Sequence, residues 1–161
     1  MTTRFIGVDP GAHGALAVIE EGNVNVFDLN KEYDTYLYWV SNLEELLGPG
    51  DYHYVAVEDV CGRPGQSCQA NTTFMKLAGM AEVMAYGIGR DGFIKVKPQV
   101  WKKHFGLISK GLTKTEKKKM SIELAKKLFP SVADQLTASK DGRAEALLLA
   151  KYCKDMYNDK V

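Results

Sequence analysis

The spacing of apolar residues changes several times along this chain, and the changes predict its elements. Residues 4 to 9 and 14 to 20 are apolar-rich runs separated by the turn formers Pro10, Gly11 and Gly14, which reads as a hairpin. A second turn over residues 20 to 23 leads into residues 24 to 28, whose alternation fits a third antiparallel strand exposed on one side. Tyr36, Leu37, Val40, Leu43, Leu46 and Leu47 then fall at helical spacing within residues 33 to 47, and Gly48, Pro49 and Gly50 end that pattern. Residues 53 to 58 read as a buried strand; a loop marked by Gly62, Pro64 and Gly65 separates it from a long helical stretch over about 70 to 87. Residues 92 to 97 form a fifth strand, and Pro98 is placed to start a short helix carrying Val100, Trp101 and Phe105. Two more helices are expected over roughly 113 to 128, closed by Pro130, and 141 to 156.

Three antiparallel strands followed by strands alternating with helices predict an α/β fold, a mixed five-stranded sheet with helices on both faces. Pattern alone leaves other α/β topologies open. A chain of 161 residues without an internal repeat, low-complexity tract or linker fits one domain over residues 1 to 161. No apolar run approaches the roughly 18 to 20 residues that a membrane span needs, and the N-terminus passes almost directly into a strand pattern without an apolar leader core. The expectation is a cytoplasmic protein. Cys61, Cys68 and Cys153 form an odd set without paired Cys-x-x-Cys spacing, which fits reduced thiols rather than a zinc site.

The formal net charge of +1 conceals a lopsided distribution. Residues 1 to 94 hold 5 basic and 13 acidic residues, and residues 95 to 127 hold 11 and 2. An acidic majority with one strongly basic segment suits a protein that gathers cations at one place and polyanionic phosphates at another. The plainer reading is that Lys117 to Lys119, Lys126 and Lys127 form the solvated face of a helix.

Carboxylates are costly inside a sheet, so Asp9 at the end of one apolar strand and Glu58 at the end of another need a reason. In the expected sheet these two strands are neighbours and bring both groups to the same end. Asp141 and Glu145 are four residues apart, hence on one helical face, while Ala144, Leu147 and Leu148 bury that helix against the sheet. Four carboxylates converging on one point would suit hard divalent cations such as magnesium, with two ions about 4 Å apart activating a water and stabilising a leaving oxygen. Each residue also has a structural alternative: Asp9 as support for its turn, Glu58 as a lysine partner, Asp141 as a helix N-cap, Glu145 as an exposed helix residue. Their joint placement favours the metal reading.

At these residues the chain resembles the RuvC family of Holliday junction resolvases. IGVDPGAHGALAVIE looks like that family's first motif, VAVEDV like its second and KDGRAEALLLA like its last, and VKPQVWKKHFGL is similar to the Pro-x-x-Trp-Lys segment of its phage and plastid relatives. The resemblance spans nearly the whole chain. It implies the RNase H-like fold, with Asp9, Glu58, Asp141 and Glu145 as metal-binding catalytic carboxylates. It also implies a homodimer that makes paired symmetric nicks in four-way DNA junctions, leaving 5′-phosphate and 3′-hydroxyl ends, with magnesium as cofactor and manganese as its substitute. Two departures stand out. Bacterial members usually place two aspartates three apart in the last motif, where this chain has an Asp and a Glu four apart. The loop CGRPGQSCQANTTF also differs from the bacterial one that supplies an aromatic wedge, leaving Phe74 as the nearest candidate.

Lys102, Lys103, Lys110, Lys114, Lys117, Lys118 and Arg143 are the candidate phosphate contacts, and Trp101 reads as a core anchor before a stacking platform. Gly11 and Gly14 read equally as a plain turn and as a close approach to metal or phosphate. A four-way junction has near-twofold symmetry, which a C2 dimer matches, and Met75, Leu77, Met80, Val83 and Met84 on the helix over 70 to 87 offer the expected dimer surface. Three rivals remain: another RNase H-like nuclease acting on branched DNA or RNA–DNA hybrids, a fragment of an actin-like kinase or ATPase, and a junction-binding module that does not cut. The kinase reading is disfavoured by length, because those proteins close a second domain over the nucleotide.

Overall fold

The computed structural model describes residues 2–49 and 51–158, without the side chains of Glu44, Leu46 and Leu47, so the expectation for Leu46 and Leu47 lies outside the described residues. In chain order the elements are β1 (Thr3–Asp9), β2 (Ala15–Glu20), β3 (Asn23–Asp28), α1 (Tyr33–Leu47), β4 (Tyr52–Glu58), α2 (Cys68–Ile88), β5 (Gly92–Val96), α3 (Pro98–His104), α4 (Lys114–Leu128) and α5 (Asp141–Asn158). Every expected strand and helix is present. Two short 3₁₀ helices, Pro130–Gln135 and Ala138–Lys140, join α4 to α5 where the pattern indicated only a stop at Pro130.

Local chemistry accounts for several of these ends. The Ser67 hydroxyl accepts from the Ala70 amide at the start of α2, Pro98 occupies the first turn of α3, and Thr113 and Glu116 form a reciprocal capping box on α4. The sheet has the order β3-β2-β1-β4-β5. β1 is antiparallel to β2, and β2 to β3, whereas β4 runs parallel to β1, and β5 parallel to β4. This is the mixed sheet expected from the sequence, and it has the topology of the RNase H-like fold.

Two hydrophobic cores lie on its two faces. On one, α3, α4 and α5 cover Phe5, Ala15, Ala17, Ile19 and Ala56, with Trp101, Ile122, Leu147 and Leu148 among the covering side chains. On the other, α1 and α2 cover Ile6, Val8, Leu16, Val18, Val55 and Val57 through Tyr36, Trp39, Leu43, Leu77 and Met84. The period-two alternation of a strand explains the division, since neighbours in sequence go to opposite faces. α5 rests directly on the backbone of the central strand: a Cβ on Gly7 would overlap the Ala146 carbonyl oxygen and the Ala150 amide nitrogen. A glycine at this point is what lets helix and strand approach so closely.

The expected dimer surface needs correction in part. Leu77 and Met84, seven residues apart on α2, face the sheet and are buried in its core, because the inward stripe of the helix claims them. Val83 at 72% and Tyr86 at 70% exposure turn outward instead, as does Leu37 of α1 at 65%. Val40 on α1 stands beside Gly87 of α2, which joins the two outward stripes. No described helix is long and apolar enough to cross a membrane.

Candidate active site

Strand parity decides where the acidic residues point. Along β1, Phe5 and Gly7 look toward α5 while Ile6 and Val8 look toward α1 and α2, so Asp9 belongs to the α5 side. Along β4, Ala56 joins the α5 core and Val55 and Val57 the opposite one, so Glu58 shares the side of Asp9. The parallel register pairs Val8 with Val57, which sets Asp9 and Glu58 one step further on at the same sheet end. α5 completes the arrangement. A Cβ on Gly142 would overlap the carbonyl oxygen of His13 and lie 3.0 Å from Asp9 Oδ2, so the first turn of the helix sits against the β1–β2 turn. That proximity delivers Glu145, one turn later, to the two strand-end carboxylates.

The outcome is a cluster of Asp9, Glu58 and Glu145 in which one carboxylate oxygen from each residue lies within 4.8 Å of the others. Asp9 is nearly buried, and the other two are partly so. Burial, followed by the Glu145 and Glu58 charges, holds the Asp9 carboxyl well above its usual range. Burial and Glu145 likewise raise Glu58, against the opposing pull of the Trp101 indole, Lys102 and Arg63. The cluster thus carries more negative charge than its neighbours offset. Its donors are carboxylate oxygens alone, which fits a hard, oxygen-seeking divalent cation and does not fit zinc bound by thiolate or imidazole. The three cysteines are free thiols, Cys61 and Cys68 exposed and Cys153 buried.

The fourth candidate stands apart. Asp141 opens α5, and its Oδ2 pairs with Lys118 Nζ of α4. It lies outside the three-carboxylate cluster yet close enough for its charge to contribute to raising Asp9. Lys102 donates to Glu145 Oε1 at 3.1 Å and lies 4.9 Å from the centre of the Trp101 ring. Lys103, Lys110, Lys114 and Lys117 are exposed. Arg143 is committed elsewhere: it donates to both Asp28 carboxylate oxygens, at 2.6 and 2.8 Å, and to the Gln135 carbonyl at 3.2 Å, tying α5 to the end of β3. Phe74 is half-buried under the Arg63 guanidinium, 4.5 Å from its ring centre, and its ring would meet a Cβ on Gly11 at 3.5 Å. The β1–β2 turn itself is closed by the Gly14 amide donating to the Gly11 carbonyl at 3.0 Å.

Sequence reasoning missed Gly7 and Gly142, whose lack of a side chain admits α5, and the hydrogen bond from Trp101 Nε1 to Glu58 Oε1 at 2.9 Å. A glycine inside a strand and another in the first turn of a helix were the available signals for the first two. Nothing in a linear sequence announces the third.

No family model and no curated protein matches the chain. Among solved structures it is similar to RuvC of Thermus thermophilus, with 16% sequence identity, a TM-score of 0.50, and coverage of 98% of this chain and 97% of that one. At this identity the likeness supports the RNase H-like fold. It extends over both chains nearly end to end.

The raised Asp9 carboxyl has a consequence for stability. The folded chain retains that proton at a pH where the unfolded chain has released it, so stability falls as pH rises from the ordinary carboxylate range through the raised value. In metal-free protein Asp9→Asn should therefore raise the Tm at pH 7.5 by at least about 2 °C. The gap should close toward about pH 3, where both states hold the proton. Scanning calorimetry across this range checks it, and a variant that melts lower than wild type at pH 7.5 would show that Asp9 carries no uncompensated charge.

Proposed function

We propose that this chain is a divalent-metal-dependent endonuclease that resolves four-way DNA junctions as a homodimer, acting as one domain over residues 1 to 161. The observation that carries the reading is the meeting of Asp9, Glu58 and Glu145, from β1, β4 and α5, at one end of the sheet. Three separate elements supplying three partly desolvated acids is an arrangement that folding stability alone does not favour.

Asp9, Glu58 and Glu145 would hold the ions, with Asp141 as a further ligand once it leaves Lys118. Two magnesium ions held there, or manganese in their place, would supply the activation of a water and the neutralisation of charge on the scissile phosphate, for hydrolysis to 5′-phosphate and 3′-hydroxyl ends. Lys102 balances Glu145 in the absence of DNA and is positioned to meet a phosphate that approaches the cluster. Lys118 joins α4 to the start of α5, and the exposed Lys110, Lys114 and Lys117, in and just before α4, would track the backbone of a DNA arm. Arg143 serves this function through its bond to Asp28, by holding the catalytic helix in place.

Cleavage of a synthetic four-way junction in magnesium tests the assignment. Asp9→Asn, Glu58→Gln, Asp141→Asn and Glu145→Gln should each lower nicking at least about 100-fold, the loss typical of removing one electrostatic stabiliser from an active site, while junction binding persists. Nicking of flaps or hybrids with no action on junctions would move the assignment to another nuclease of this fold. Binding without any cleavage would make the chain a junction-binding module, and ATP hydrolysis without DNA would revive the kinase reading. Junction affinity should also fall steeply with salt, and Lys114→Glu with Lys117→Glu should reduce the slope of log K against log salt by about 2. A slope unchanged by this pair would remove α4 from the DNA path.

The homodimer is supported by the outward Leu37 and Val40 of α1 and Val83 and Tyr86 of α2, exposed apolar side chains on the face away from the basic helix. Sedimentation should show a dimer for the wild type and a shift toward monomer for Val83→Glu. Wild-type protein sedimenting only as monomer, with and without junction DNA, would end this part of the proposal.

A further inference from the structure

We infer that Trp101 is a positioning residue for the metal site, holding the Glu58 carboxylate in its ligating orientation through the indole N–H. The inference rests on the nuclease reading above and extends it to a residue that touches no substrate.

Trp101 is fully buried, and its Nε1 donates to Glu58 Oε1 at 2.9 Å. A buried tryptophan needs an acceptor for its one polar atom, and a backbone carbonyl or a hydroxyl serves that need at ordinary core positions. Here the acceptor is a member of the carboxylate cluster. The route that brings the ring there is short and stiff. Glu58 pairs with Val96 in the parallel β4–β5 register, and the Asp59 amide donates to the Val96 carbonyl at 2.7 Å, so β5 is fixed to β4 at the residue in question. Pro98 then opens α3 immediately, and Trp101 falls in the next turn facing inward. The ring packs in the same core as Ala144, Leu147 and Leu148 of α5, the helix that carries Glu145. One rigid side chain therefore registers β4 against α5 at the depth of the cluster.

A glutamate has three rotatable bonds, and beside a second acid its carboxylate would swing away from the cluster. A fixed donor on Oε1 opposes that swing, so that the carboxylate stays in the cluster and could offer an oxygen to a cation. This is how outer hydrogen bonds orient a metal ligand. Lys102, next in sequence, performs a different task through a flexible chain, offsetting the charge of Glu145 while lying over the same indole ring.

The test replaces the indole by a ring of the same shape without the N–H, Trp101→β-(3-benzothienyl)alanine, alongside Trp101→Phe. Manganese binding to DNA-free protein is titrated by electron paramagnetic resonance, with thermal unfolding of each metal-free protein in parallel and Glu58→Gln as reference. The expected result is that the benzothienyl variant melts within about 2 °C of wild type yet binds manganese at least about tenfold more weakly. Trp101→Phe should show the same loss of affinity together with a lower Tm from the cavity it leaves. Equal manganese affinity in wild type and the benzothienyl variant would reduce Trp101 to a core residue and leave the nuclease reading standing. Wild-type protein that binds no manganese, or binds it as well after Glu58→Gln, would overturn both.

Discussion

The molecule depends on the seating of α5 against the bare backbone of β1. At Gly7 no side chain separates them, and at Gly142 the helix meets the turn that follows the strand. Close packing of this kind is unforgiving, because an interior at crystal-like density has no slack to absorb an added methyl group. It also fixes a distance. A helix held off by an ordinary side chain would carry Glu145 out of reach of Asp9, and the remaining strand-end acids would then be two isolated charges at the rim of a sheet. The two glycines are thus as much a part of the site as the acids, although they contribute no chemistry.

The second constraint is electrostatic and runs against the first. Packing draws three carboxylates together in a partly desolvated place, and burial, followed by their mutual repulsion, raises Asp9 and Glu58. The surrounding groups moderate the repulsion without removing it. Lys102 answers Glu145, the Trp101 indole answers Glu58, and Lys118 answers Asp141 at the margin. Asp9 has burial and the charges of Glu145, Glu58 and Asp141 on one side of the balance, with the Lys102 charge opposing them. An unbalanced acid beside separately balanced ones suits the binding of a cation, since full internal neutralisation would leave nothing for the ion to gain.

The basic residues divide into two populations that the net charge does not distinguish. Arg143 and Lys140 both engage Asp28, and Lys95 engages Asp59 and Glu82, so these cations hold elements together. The lysines on the exposed side of α4 and in the segment before it face solvent instead. The surface opposite them is apolar in patches on α1 and α2. The molecule therefore presents two unlike exteriors, one suited to a polyanion and the other to a protein surface, with the carboxylate cluster at the sheet end.

Much of this was legible in the linear chain. Apolar periodicity identified the strands and α-helices, since period two and period 3.6 leave distinct traces and the turn residues between them are few and specific. The acids ending β1 and β4 were visible as anomalies in otherwise apolar runs, and Glu145 as a polar residue on a buried helix. The tertiary structure alone decided which of them meet. It placed Asp141 with Lys118 and outside the cluster, assigned Arg143 to Asp28 rather than to open solvent, and turned Leu77 and Met84 inward while leaving Val83 and Tyr86 outside. It also joined Trp101 to Glu58 across 43 positions of sequence. Periodicity is a property of neighbours along the chain and can be read from them, whereas a hydrogen bond between distant side chains depends on the path of everything folded between.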